Sequence, residues 1–257
     1  MTNAKYGIFV HALHKSATMF LYKLFKDLSE ELSLSYYSLN NKPVHNHNDL
    51  KEDIDQSFCY CPVRHFADSS DTIPSQFADI TPVFFVQDNT FINIPNIYRI
   101  YQIRDPRDIL VSQYFSFGFI HGGLKTVTKS KLKIQNMTVD EYCLDQADSL
   151  AKKYDNILNI YRKNNPKYLI VQYESMVLDY KKWLSEIISL LPFQDKADNI
   201  EKYYNKYREE FEAEGFEESM QHKRKMIPGD YKEKLEEPTI IELNSKFSDI
   251  LDSFYSE

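Results

Sequence analysis

The stretch that most limits what this chain can become lies near its start. From Tyr6 to Val10 the residues are almost continuously apolar, the pattern of a strand buried on both faces of a parallel sheet. Leu21, Leu24, Phe25, Leu28 and Leu32 then recur at helical spacing. The segment between them, His11-Ala12-Leu13-His14-Lys15-Ser16-Ala17-Thr18-Met19-Phe20, is therefore the turn of a strand-turn-helix unit and carries a lysine and two hydroxyls. The first-turn amides of such a helix point into the turn, and with Lys15 beside them they attract an anion, a phosphate above all. An ordinary βα turn with a surface lysine has the same local pattern. A nucleoside-triphosphate loop needs Gly-x-x-x-x-Gly-Lys-Ser/Thr; here no glycine lies between Ala12 and Lys15, which weakens the triphosphate reading.

Strands and helices alternate along the rest of the chain, which predicts an α/β fold: a central parallel sheet flanked by helices on both faces. Further strands are expected at Tyr36 to Leu39, Pro82 to Val86, Ile97 to Ile103 and Tyr168 to Gln172. Asp105 suits the cap of the next helix, Pro106 its first position and Asp108 its first turn, with Leu110, Val111, Tyr114 and Phe115 facing the core and Ser112 turned away. Thr138-Val139-Asp140-Glu141 is a capping box. It opens a helix with Ala147, Leu150, Ala151, Tyr154, Ile157, Leu158 and Tyr161 on one face, stopped by Asn164-Asn165-Pro166. Amphipathic helices are expected around Leu184 to Leu191, Ile200 to Phe211 and Ile240 to Phe254. Residues 40–82 and 121–137 read as irregular, the latter as a mobile loop, and both as candidate acceptor-site loops.

With 257 residues, no internal repeat and an average apolar content of 42%, the chain is expected to form one domain over 1–257. A net charge of −7 argues against a nucleic-acid backbone as partner, so an anionic ligand needs a local basic pocket. No apolar run approaches a membrane span and no signal peptide is evident. Cys59, Cys61 and Cys143 leave one thiol unpaired in any scheme, and reduced thiols in a cytoplasm fit best. His45, His47, Cys59, Cys61 and His65 lack the paired spacing of common zinc frameworks, so no metal is expected.

Ligands of open parallel sheets bind beyond the carboxyl ends of the strands. Three polar clusters fall there: Lys15 to Thr18, Arg104, and Tyr173-Glu174. A fourth, His222-Lys223-Arg224-Lys225, suits a solvated basic run, a weak nucleic-acid patch or a phosphate clamp; in an acidic chain with three other anion-suited positions the clamp is preferred.

These clusters resemble, in order and over nearly the whole chain, the motifs of sulfotransferases that use 3′-phosphoadenosine 5′-phosphosulfate (PAPS). His14-Lys15-Ser16-Ala17-Thr18-Met19-Phe20 is similar to the family's Pro-Lys-Ser-Gly-Thr-Thr-Trp loop. Arg104, Pro106, Asp108, Ser112 and Tyr114 match its Arg-x-Pro-x-Asp-x-x-x-Ser-x-Tyr pattern, which implies that Arg104 and Ser112 hold the 3′-phosphate. Tyr173-Glu174-Ser175 resembles Tyr-Glu-Asp, whose tyrosine lies at the adenine, and Arg224-Lys225-Met226-Ile227-Pro228-Gly229-Asp230-Tyr231 resembles Arg-Lys-Gly-x-x-Gly-Asp-Trp, making Arg224 and Lys225 further partners of that phosphate. Ala17 and Met226 replace glycines, Phe20 and Tyr231 tryptophans, and Met19 a threonine. Phe20 keeps an aromatic face for the adenine. Ala17 is tolerated if the backbone there is already helical.

The resemblance implies a P-loop-like fold and metal-independent, in-line sulfuryl transfer to a hydroxyl or amine of a small-molecule acceptor, with adenosine 3′,5′-bisphosphate (PAP) as product. Lys15 is placed to neutralise charge on the bridging oxygen. The family's base is a histidine just after the third strand. After the expected strand at 82–86 the nearest polar candidate is Asp88, which burial would have to make more basic; His14, His45, His47 and His65 are its rivals. A P-loop-like kinase, or a nucleotide-binding protein without catalysis, are the alternatives.

Overall fold

The computed structural model describes residues 6–38, 57–63, 97–120, 129–212 and 228–256. The chain runs β1 (Gly7–Ala12), α1 (Thr18–Glu31), β2 (Ser35–Tyr37), β3 (Phe58–Val63), β4 (Ile97–Ile103), α2 (Pro106–Phe115) and a π-helical turn (Ser116–Ile120). It continues with α3 (Lys129–Gln135), α4 (Val139–Arg162), β5 (Tyr168–Gln172), α5 (Tyr173–Leu178), α6 (Tyr180–Leu190) and α7 (Lys196–Tyr207). Beyond a short turn at Glu209–Glu212 come α8 (Tyr231–Lys234), α9 (Glu237–Lys246) and α10 (Ser248–Phe254). The strands form one five-stranded sheet in the order β2-β3-β1-β4-β5, and every pairing is parallel.

All six residues of β1 are buried, because this central strand is covered on both faces. One face packs Ile8, Val10, Cys59, Cys61 and Ile100 against α1, α6 and α7, with Trp183 fully enclosed. The other packs Tyr101 and Ile103 against α2, α4, α9 and α10. Gln102 lies inside the first face, where its Oε1 accepts from Trp183 Nε1 at 3.1 Å, so a buried amide and a buried indole satisfy one another.

The two helix starts read from sequence form as expected. Asp105 accepts from the Arg107 amide with Pro106 in the first turn, and Thr138 and Glu141 close a capping box on α4. Four expectations are corrected. Residues 58–63, inside the stretch read as irregular, form β3: Cys59 and Cys61 turn the same way and act as small apolar residues in the core. Residues 129–135, inside the expected mobile loop, form α3, packed on the π turn through Ile134 and a bond from Gln135 Nε2 to the Gly118 carbonyl at 2.8 Å. Tyr161 is 53% exposed rather than core, and the last helix is broken at Phe247 into α9 and α10. The strand expected at 82–86 lies outside the described residues, as do Asp88, His45, His47, His65, Arg224 and Lys225.

Candidate active site

In the order β2-β3-β1-β4-β5 the crossovers leave β1 to one side and return across it to β4, so a crevice opens beyond the carboxyl ends of β1 and its neighbours. The Lys15 loop sits there. Lys15 and Ala17 have positive φ (73° and 62°) while Ser16 between them does not, an alternation of the kind that turns successive amides toward an anion. Ala17 is thus in the left-handed region, so the helical backbone under which its methyl group would be tolerated is absent and the residue is held at some strain. Being the N-cap of α1, Ala17 also offers no side-chain acceptor to the first-turn amides. A phosphate is the partner such amides fit.

Ser16 is buried and its hydroxyl donates to the Leu13 carbonyl at 2.7 Å, closing the loop on itself. Thr18 opens the helix and is half-buried, whereas Met19 is 64% exposed. Phe20 packs edge-on against Tyr207 and Phe211, with Tyr180 and Trp183 nearby, and remains half-buried. Lys15 Nζ donates to the hydroxyl of Ser116, the first residue of the π turn, at 3.0 Å. His14 lies beside the same turn, its ring 6.1 Å from that of Phe117. Phe115 belongs to the core under α2, and Phe119 is half exposed.

Arg104 arrives from the end of β4. Its Nη1 donates to the Lys15 carbonyl at 2.9 Å, its Nη2 lies 3.6 Å from Asp108 Oδ2, and its guanidinium stands 4.3 Å over the Tyr173 ring. The side chain is almost fully buried, yet Nε has no hydrogen-bond partner among the described residues. A buried guanidinium donor left open in this way marks a place for an anionic oxygen. Tyr173 is buried beneath Arg104. Ser112 lies on α2, half-buried.

Asp108 does more than its place in a first helical turn suggests. Its Oδ2 accepts from the Gly229 amide at 2.7 Å and its Oδ1 from the Tyr231 amide at 3.0 Å. Gly229 has φ 88°, which glycine adopts without strain. Burial lifts the Asp108 carboxyl above its ordinary value, against the pull of Arg104 and the two amides. The carboxylate therefore ties the turn that follows Arg224-Lys225 to the residue at the end of β4. Tyr231 turns its ring to the Arg107 guanidinium, at 4.1 Å. Local sequence carries no sign of the Asp108 partners, more than a hundred residues away, or of Ser116 as the partner of Lys15.

Fold and site together define a parallel-sheet protein that gathers Lys15 and Arg104 where β1 and β4 end. A model of the sulfotransferase domain matches residues 7–254, and the chain belongs to that family. Among solved structures it is similar to a mouse sulfotransferase complexed with PAP, at TM-score 0.59 and 15% identity, covering 97% of this chain and 86% of the other. It is also similar to a retinol dehydratase in complex with androsterone and the inactive cofactor PAP, at TM-score 0.54 and 14% identity, covering 98% of this chain and 82% of the other. No curated protein sequence matched.

Proposed function

We propose that the chain transfers the sulfuryl group of PAPS to a hydroxyl or amine of a small-molecule acceptor. The observation that carries this is the meeting of Lys15 and Arg104 on one loop, the first at the uncapped start of α1 and the second with a buried open donor. The amides of the Lys15 loop suit the 5′-phosphosulfate; Ser16, Thr18 and the backbone at Ala17 and Met19 surround it. Arg104, Ser112 and the clamp residues Arg224 and Lys225 take the 3′-phosphate, and Phe20 and Tyr173 the neighbourhood of the adenine. Two similar structures hold PAP, and the androsterone in one of them supports a small acceptor. Three buried free thiols suit a cytoplasm, and among the described residues no helix is long and apolar enough to cross a membrane.

In the reaction the sulfur–oxygen bond to the 5′-phosphate breaks as a bond forms to the acceptor atom, and the acceptor proton leaves to a base. Lys15 neutralises the charge left on the phosphate; at about 4 Å and an effective dielectric near 20 this attraction is on the order of 4 kcal/mol. We place the base at His65 in preference to Asp88. The strand that pairs beside β1 on that side is Phe58–Val63, and His65 follows it by two residues along the chain, where the family's histidine belongs.

Calorimetry with PAP, AMP and ATP plus magnesium tests the reading, followed by a transfer assay with PAPS. PAP should bind more tightly than AMP. Arg104→Ala should weaken PAP by roughly 2 to 5 kcal/mol, the effect of truncating a buried charge pair, and leave AMP nearly unchanged. Tight ATP binding with magnesium and weak PAP binding would favour a kinase.

A further inference from the structure

We propose that Glu174 is a positioning residue for Arg104: it fixes the peptide joining Arg104 to Asp105 so that the guanidinium meets the 3′-phosphate, an inference that rests on the nucleotide reading above. That single peptide unit is gripped at both of its polar atoms by side chains from elsewhere. Its N–H, on Asp105, donates to Glu174 Oε1 at 2.9 Å. Its carbonyl, on Arg104, accepts from the Tyr154 hydroxyl of α4. The register explains the meeting: Ile103 of β4 pairs with Gln172 of β5, so the residues just beyond, Arg104-Asp105 and Tyr173-Glu174, leave the sheet side by side. Tyr173 then supports the guanidinium of Arg104 from below, and Glu174 holds its backbone.

The second Glu174 oxygen is buried, and the buried Tyr255 hydroxyl from beyond α10 faces Glu174, Tyr154 and Asp105. The Asp105 carboxylate is occupied on its other side, capping the Arg107 amide and pairing with the Arg107 guanidinium at 2.5 Å. Three elements thus converge on the corner between β4 and α2, behind the binding crevice. A side chain as long as arginine amplifies any tilt of its own backbone, and a charged contact retains its strength only within about half an ångström of the productive geometry. A peptide held at both of its polar atoms is what an arginine aimed at one phosphate requires.

The test compares PAP and AMP binding by calorimetry in the full chain for Glu174→Ala, Glu174→Gln and Tyr154→Phe, with circular dichroism melting as a check on folding. Glu174→Ala and Tyr154→Phe should each weaken PAP by about ten- to a hundredfold, the penalty of a small misplacement, while AMP changes little. Glu174→Gln should recover most of the PAP affinity, because its amide oxygen still accepts from Asp105. If Glu174→Ala does not fold, Tyr154→Phe, which removes one oxygen from the same peptide's support, decides the matter. Equal losses for PAP and AMP, or unchanged PAP affinity in a folded variant, would overturn the positioning role. A wild-type chain that binds PAP no better than AMP would instead overturn the nucleotide reading, and that failure is visible before any variant is compared.

Discussion

At the scale of single residues, Ala17 is the clearest departure with a physical consequence. At φ 62° and ψ 34° it occupies a conformation that costs an L-residue roughly 1 to 2 kcal/mol. Glycine removes that strain but loses about 0.5 to 1 kcal/mol through the entropy of the unfolded chain. The difference favours glycine by about 0.5 kcal/mol, so Ala17→Gly should raise the urea midpoint slightly with an unchanged denaturant slope. Its effect on PAP is expected to be favourable too, since the loop is already in the glycine-like shape. The base is the second residue-scale question. His65→Ala should lower turnover by about a hundredfold or more, the usual worth of a general base, with PAP affinity retained. Asp88→Asn should leave turnover within a fewfold in a single-turnover assay; the reverse ranking would return the role to Asp88.

Among elements, the joint between α2 and the turn before α8 depends on one carboxylate. Asp108 accepts two amides and faces Arg104, and an asparagine in its place presents one acceptor and one donor to two donors. One buried N–H is then left opposite another, a fault worth about 1 to 3 kcal/mol. Asp108→Asn should therefore lower the melting temperature and also weaken PAP, because the turn after Arg224-Lys225 loses its tie to Arg104. Guanidinium chloride denaturation and PAP calorimetry on the same sample measure the two effects; a stability loss with unchanged PAP affinity would separate the turn from the binding site. Much of this element was legible beforehand. The cap at Asp105, the proline after it and the 3.6-residue apolar stripe are local facts, and they fixed α2 without reference to the rest of the chain. The partner of Asp108 was not legible, because two backbone amides at Gly229 and Tyr231 carry no sequence signature of what they bind.

For the whole molecule, the buried carboxylates set a pH dependence. Burial is the main cause that raises Glu174 from 4.5 to about 7, with the Asp105 carboxylate adding to it and the Asp105 amide, its own amide and Arg104 opposing. Tyr255, held well above its ordinary value, stays protonated beside it, as does Tyr154. The folded chain therefore keeps a proton on Glu174 between about pH 4.5 and 7 that the unfolded chain releases. The stability from this group is complete below pH 4.5 and is lost as the pH rises through 7. Urea midpoints taken across that window should fall with pH in the wild type and fall less in Glu174→Gln, which cannot titrate. An identical slope in the two proteins would mean that Glu174 ionises as an ordinary carboxylate.

Local periodicity determined the strand-turn-helix at the start, the α/β class and the caps of α2 and α4, since each of those depends on residues within a few positions of one another. It also put Lys15 and Arg104 at strand ends. What it missed were elements whose residues lack a local signature. Phe58–Val63 has two cysteines where β-branched residues are usual, and only their burial against α1 makes that segment a strand. A strand at Phe58–Val63 is also what supports His65 over Asp88 in the proposal for the base. Arg104 meeting Lys15, Asp108 holding Gly229 and Tyr231, and Glu174 holding Asp105 join residues separated by about seventy to a hundred and twenty positions. Such contacts are decided by strand order and register, because only the packed sheet brings the ends of β1, β4 and β5 to one edge.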